Sequence, residues 1–281
     1  MGESCRQTPA PPTAVRSSPA RPVPTRSRRS RRPVARLRSG LRGRPAPRYR
    51  ARPKVGPACS CGYDRRLVII VFDLDGTLID SARDLGEAAS ELVQGLGAPP
   101  LTVSQVVTMV GDGAPVLVRR ALERSGLDPG TPGALERFLR IYERRLMDHT
   151  VAYRGIREEL ARAVRRGPLA VLTNKPLGPA IGLLEALGLR GFFHRIIGGD
   201  GEYGRKPDPA GLNALRALAP DAPIVLIGDS PADALTAVAA ACPFVLARYG
   251  FGAAKFGPEA LDTPLVVDHP RDLSAVLDLI R

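Results

Sequence analysis

Two carboxylates, two residues apart, close an unbroken apolar run in this chain. The run is Leu67 to Phe72, the carboxylates are Asp73 and Asp75, and Gly76 and Thr77 follow. Apolar, β-branched residues without alternation are the pattern of a strand buried on both faces, as in a parallel sheet. Acids at the exit of such a strand repel each other and need neutralising, and a divalent cation does this most simply. Gly76 lets the chain bend sharply, and Thr77 supplies a hydroxyl. Further polar groups recur along the chain: Thr173-Asn174 after Leu169–Leu172, Lys206 within Gly204–Pro209, and Asp229 with Asp233 after Pro223–Ile227. Taken singly, each has an ordinary alternative. These are an Asp-Gly turn, a strand-end Thr with an Asn turn, a solvated loop lysine, and an anion favoured in a helix first turn.

Positioning such residues together takes a sheet. Beyond residue 150 the pattern alternates between helix and strand. Helices are expected over 155–166, 178–187, 208–218, 231–241 and 273–280, and strands over 169–172, 195–198, 223–227, 244–247 and 265–267. Between the first strand and this region lie three helical stripes, at 82–96, 113–125 and 134–147, with no strand among them. A βαβ sheet does not wait about eighty residues for its second strand. Residues 83–150 therefore read as an inserted helical cap, and 67–82 with 151–281 as an α/β catalytic core. The expected fold is a doubly wound, Rossmann-like parallel sheet with that cap and a disordered N-terminal tail. In such sheets the ligand crevice lies at the carboxyl ends of the strands. Asp73, Thr173 and Asp229 are expected there, with Lys206 following a fourth strand.

The string DLDGTLIDSARDL, with VGDGAPVLVRRAL and YRGIREEL further on, resembles the haloacid dehalogenase superfamily, and within it the phosphoglycolate phosphatases. The resemblance covers nearly all of Leu67–Arg281. It implies Asp73 as nucleophile, forming an aspartyl-phosphate, and Asp75 as general acid and base. Thr173 and Asn174 would hold the phosphoryl oxygens, and Lys206 would be a fixed cation beside nucleophile and phosphate. It also implies Mg²⁺ held by Asp73, Asp229 and the backbone carbonyl of Asp75, with Asp233 in support. The implied activity is a Mg²⁺-dependent phosphatase acting on a small phosphorylated metabolite, 2-phosphoglycolate first. The cap would select the substrate, through Gly111-Asp112-Gly113 and Arg119. Another small phosphate or pyrophosphate, or a β-phosphoglucomutase-like phosphomutase, is the alternative. Two departures are visible: Arg154 stands where the family often has Pro, and Ala241-Cys242-Pro243 replaces a common Ala-Gly helix stop.

Residues 1–66 differ from the rest. They hold 18 of the 41 Lys and Arg and only two acids, a surplus of +16, whereas the remainder carries a net −3. Proline-rich and without apolar periodicity, they are expected to be disordered. Such a stretch could bind nucleic acid non-specifically, act as a targeting segment, or be an over-extended gene start, the reading favoured here. The non-enzyme alternative is a nucleic-acid-binding protein acting through this tail. Four unpatterned cysteines and three scattered histidines offer no zinc site and fit a cytoplasmic protein, and no segment suits a membrane span. A chain begun near Arg65 is expected to match full-length kinetics, and a large loss of kcat would show that the tail serves catalysis.

Overall fold

Ile69, Ile70, Val71 and Phe72 are all buried and form the first strand, β1 (Ile69–Phe72). Successive strand residues face opposite ways. Ile70 and Phe72 enter an apolar cluster with Leu160, Leu183 and Leu273, while Ile69 and Val71 enter another with Leu212, Leu215 and Ala237. This two-sided burial explains why the run shows no polar alternation. The computed structural model describes residues 67–257 and 265–280, so the expectations for the 1–66 tail lie outside the described residues.

β1 pairs in parallel with β4 (Leu169–Leu172) on one side and β6 (Ile224–Gly228) on the other, Val71 standing opposite Ala170 and Leu226. The sheet continues outward through β5 (Phe193–Ile197) on the first side. On the second it continues through β7 (Phe244–Ala247) and β8 (Val266–Val267). In chain order among themselves these six strands run 3-2-1-4-5-6, the doubly wound arrangement. Helices α5 (Ile156–Ala163), α6 (Leu177–Ala186) and α9 (Leu273–Leu277) cover one face. The other face is covered by α7 (Ala210–Leu215) and α8 (Pro231–Ala239). Among the described residues no helix is long and apolar enough to cross a membrane.

Between Asp80 and Val151 come four helices rather than three: α1 (Ala82–Gln94), α2 (Val103–Val107), α3 (Ala114–Arg124) and α4 (Ala134–Arg145). They share their own apolar cluster, including Leu92, Leu122 and Phe138. The short α2 has too few apolar positions to show a period, but its start is written in Thr102 and Gln105. Their side chains and backbone N–H groups bond reciprocally, at 3.2 and 2.8 Å. The two connections to the sheet are tied together. β2 (Ile79–Asp80) pairs with β3 (Val151–Ala152), and the buried Asp84 Oδ2 accepts from the N–H of His149 and Thr150 and from the Thr150 hydroxyl.

Two expectations need correcting. Lys206 does not follow directly on a strand; it sits in the loop between β5 and α7, because Gly198 and Gly199 lead the chain away from the sheet. The helix expected over 208–218 is shortened to α7 plus a 3₁₀ turn at Arg216–Leu218, and the last helix ends at Leu277.

The Ala241-Cys242-Pro243 departure has a structural consequence. α8 ends with Ala241 at φ 48°, a left-handed conformation that glycine ordinarily supplies after a helix. The Ala241 side chain is exposed, so its methyl gains little from packing. Ala241→Gly is expected to stabilise the protein by about 1 kcal/mol, read as a higher urea midpoint at unchanged slope. An unchanged or lower midpoint would show that the strain is relieved elsewhere.

Candidate active site

The carboxyl ends of β1, β4 and β6 bring Asp73, Thr173 and Asp229 onto one edge of the sheet, and all three are buried. Backbone pairing continues one residue past β1, where Asp73 N–H donates to Ile227 O at 2.9 Å and fixes where the Asp73 carboxylate starts. Gly76 then turns the chain at φ +86°. A Cβ there would fall 1.9 Å from Asp229 Oδ2, so glycine is required both for the turn and for the approach of Asp229. Asp229 is held from the far side by Gly252, whose N–H donates to Oδ2 at 2.7 Å.

Asp73, Asp229 and Asp233 each present a carboxylate oxygen within 4.8 Å of the others. Lys206 Nζ stands 2.7 Å from Asp73 Oδ1 and 2.6 Å from Asp233 Oδ1. The contact with Asp73 is an ion pair without hydrogen-bond alignment, so Asp73 Oδ1 is a buried acceptor lacking a well-directed donor. The oxygens of Asp233 are taken: Oδ1 by Lys206, Oδ2 by the N–H and hydroxyl of Ser230. Burial pushes the Asp73 carboxyl up to about 7, Lys206 opposing the rise and Asp233 adding to it. The same burial, followed by repulsion from Asp73 and Asp233, raises Asp229 well above the carboxylate range. Burial alone would depress the Lys206 ammonium, but Asp233 and Asp73 outweigh it and keep it charged.

Three carboxylates against one ammonium leave a deficit of two positive charges. A hard divalent cation with oxygen ligands fits that deficit and the under-satisfied Asp73 Oδ1. Asp73 and Asp229 are its side-chain candidates, while Asp233, already fully bonded, stands behind Lys206 and Ser230 as a support. No histidine belongs to the group.

The Asp75 side chain is outside this group. Its Oδ1 accepts from the Ser81 hydroxyl at 2.5 Å, and Lys175 Nζ grips both oxygens at 3.0 and 2.9 Å. Thr173 Oγ1 accepts from Lys175 N–H at 3.2 Å. Asn174 is at the site, but its amide braces the walls. Oδ1 accepts from Lys206 N–H, and Nδ2 donates to Lys206 O and to Gly111 O. The Thr77 hydroxyl is buried with no partner among the described residues.

Above this edge lies a cavity walled on one side by the inserted helices, whose Leu117, Phe138 and Tyr142 line it together with Asp73, Asp75 and Asp229. Gly111 and Gly113 line it, and Lys255 Nζ donates to the adjoining Val110 O. Asp112 is instead bound by Arg120 at 2.6 Å. Arg119 does not reach the cavity. It is 55% exposed and pairs with Glu123, because its place on α3 faces solvent.

Sequence reasoning missed Lys175, which lines the cavity and bridges Asp75 and Tyr142. A signal existed, since a lysine three residues past a fully buried strand has few routes to solvent.

A model of the family of haloacid dehalogenase-like hydrolases matches residues 70–247. The chain is 39% identical over 214 residues to a phosphoglycolate phosphatase of Pseudomonas syringae pv. syringae (strain B728a), covering 73% of this chain and 78% of that one. It is also 39% identical over 217 residues to the plasmid phosphoglycolate phosphatase of Cupriavidus necator, covering 75% of this chain and 94% of that one. The crystal structure of a predicted phosphoglycolate phosphatase from Haemophilus somnus 129PT superposes with a TM-score of 0.68 at 28% identity, over 77% of this chain and 100% of that one. With its sheet order, its acidic edge and these relatives in agreement, the chain belongs to the haloacid dehalogenase-like hydrolase family, as one of its phosphatases.

Proposed function

We infer that this phosphatase hydrolyses 2-phosphoglycolate to glycolate and phosphate through an aspartyl-phosphate, with Mg²⁺ as its metal. The observation that carries the reading is the buried group of Asp73, Asp229, Asp233 and Lys206 beneath a cavity that also exposes Asp75. The relatives' printed activity supports the choice of ester. In this reading 67–82 with 151–281 form the catalytic core, and 83–150 form a cap that shapes the substrate's surroundings. The partner is a small phosphorylated metabolite. A cytoplasmic setting agrees with the unpatterned cysteines, and nucleic-acid contact through 1–66 concerns residues outside those described.

In the first half of the reaction an Asp73 oxygen attacks phosphorus. The Asp73–phosphorus bond forms as the ester P–O bond breaks, and Asp75 gives a proton to the departing alkoxide oxygen. In the second half water attacks phosphorus and loses a proton to Asp75. The Asp73–phosphorus bond then breaks, returning both carboxyls to their starting states. Lys206 stays charged throughout and stabilises negative charge beside Asp73. Thr173 is placed to offer its hydroxyl to a phosphoryl oxygen, and Asn174 keeps the Lys206 backbone where the ammonium can reach. A cation held by Asp73, Asp229 and the Asp75 carbonyl would screen the repulsion between a carboxylate nucleophile and a phosphate dianion. The burial of Asp73, Asp229, Asp233 and Lys206 strengthens each of these interactions.

Asp73→Asn is expected to lower kcat for 2-phosphoglycolate by about 10⁴-fold or more, while circular dichroism and melting show the fold intact. Near-wild-type turnover would remove Asp73 as nucleophile. Chelation of divalent ions should abolish turnover by the wild type, and added Mg²⁺ should restore it. Full activity in chelator would show that Lys206 alone balances the acidic group.

A further inference from the structure

Lys175 is not among the residues to which the family resemblance gives a role, yet its side chain is only 4% exposed and stands in the cavity wall. Its ammonium uses all three N–H groups: two on Asp75, and one on Tyr142 Oη at 2.8 Å. Tyr142 comes from α4, so this single side chain spans from the sheet edge to the inserted helices. Burial by itself would depress the ammonium, but Asp75 and then Tyr142 more than offset it, so Lys175 is charged.

The surroundings make that charge conspicuous. The cavity wall includes Leu85, Leu117, Phe138, Leu139 and Phe251, and among the described residues that line it Lys175 is the one cation. Lys206 is occupied with Asp73 and Asp233, Arg119 faces solvent, and Lys255 is turned to Val110 O. A fixed ammonium in an apolar wall keeps a counter-ion, because a buried charge without a partner is costly. In the free enzyme that counter-ion is Asp75.

A substrate with its phosphoryl group at Asp73 brings its ester oxygen to Asp75. Whatever the next carbon carries then falls one step beyond Asp75, where Lys175 and Tyr142 stand. The geometry points to Lys175, with Tyr142 Oη beside it, as the specificity-determining pair that receives a second anionic group of the substrate, a carboxylate close to the ester oxygen. This rests on the phosphatase reading above and deepens it to a substrate class, the phosphate esters of small hydroxy acids. The incoming carboxylate replaces Asp75 as the partner of Lys175. The ammonium is then never left unpaired, and the Asp75 side chain is released toward the leaving oxygen, taking up from solvent the proton it gives to that oxygen. An ester with no such anion leaves Asp75 on Lys175, and is discriminated against both in binding and in the reaction.

The test compares kcat/KM for 2-phosphoglycolate with that for ethyl phosphate, which has an alkoxide leaving group and no carboxylate. In Lys175→Met the wild-type preference for 2-phosphoglycolate should fall by about 30-fold or more, the size of one lost charge-assisted pair. In Tyr142→Phe it should fall by about 3-fold to 10-fold, and Lys175→Arg should keep part of it. Loss of the same factor on both esters would overturn the assignment, because Lys175 would then serve only to position Asp75. If Lys175→Met does not fold, Lys175→Arg and Tyr142→Phe decide by the same ratio. A wild type that prefers neither ester overturns 2-phosphoglycolate as the substrate. The pair 3-phosphoglycerate and glycerol 1-phosphate then tests the lysine separately. A preference for the acid that Lys175→Met removes sustains the pairing, and no preference in either pair sinks it.

Discussion

Asp73, Asp229 and Asp233 crowd three carboxylates into a space nearly closed to water, against the single ammonium of Lys206. Left to themselves such groups would protonate, and burial drives Asp73 and Asp229 in that direction. The arrangement therefore has to be imposed by something stronger than the acids' own preference. The sheet imposes it. β1 and β6 are neighbours whose fully buried residues fix their register, so the residues just past their carboxyl ends, Asp73 and Asp229, arrive side by side. Gly76 and Gly252 then remove the side chains that would have kept the Asp229 carboxylate away. The apolar core thus offsets an electrostatic cost at its rim. That division is common where a site must be ready before its ligand arrives.

The inserted helices are not simply laid over this rim; they are bonded to the parts that hold the charges. Asp84 gathers the returning chain at His149 and Thr150, so the two connections leave the core as one unit beside β2 and β3. At the cavity, the Asn174 amide holds Gly111 O of the inserted segment and both backbone groups of Lys206. Gly111 is therefore linked through one side chain to the residue whose ammonium pairs with Asp73 and Asp233. Lys175 makes the equivalent connection from Asp75 to Tyr142.

How far all this can be read from the sequence depends on what kind of force places each residue. Asp73, Thr173 and Asp229 are placed by the ends of apolar runs, and apolar runs are legible, which is why the sheet edge could be foreseen. Lys206 is placed by a loop, and no periodicity reports where a loop goes. Only its Gly204–Pro209 context pointed to it, and its expected position at a strand end was wrong. The same limit hid α2, a helix of one turn with too few apolar positions to show a period, although Thr102 and Gln105 mark its start. Tyr142 was read as one of an apolar stripe and is indeed buried, but its hydroxyl is placed by a residue 33 positions away. Partners that distant leave no local trace, and the one hint of Lys175 in the sequence is its place just past a fully buried strand.

The two aspartates that open the site show how little sequence distance decides. Asp73 and Asp75 are two apart, and an extended strand would point both to one face with one environment. Instead the turn at Gly76, and the bridge between Asp75 and Ile79, send them to different neighbours. Asp73 meets Lys206 and the acidic group; Asp75 meets Ser81, Lys175 and, through Lys175, Tyr142. Each therefore has its own lysine. In the proposed reaction the nucleophile, Asp73, has to remain a carboxylate next to an incoming dianion, whereas the proton donor, Asp75, has to exchange partners. One shared cation could not serve both requirements. Two cations on separate elements, one in the loop before α7 and one just past β4, allow the environments to change independently, and that independence lets neighbouring identical side chains take opposite parts in a reaction.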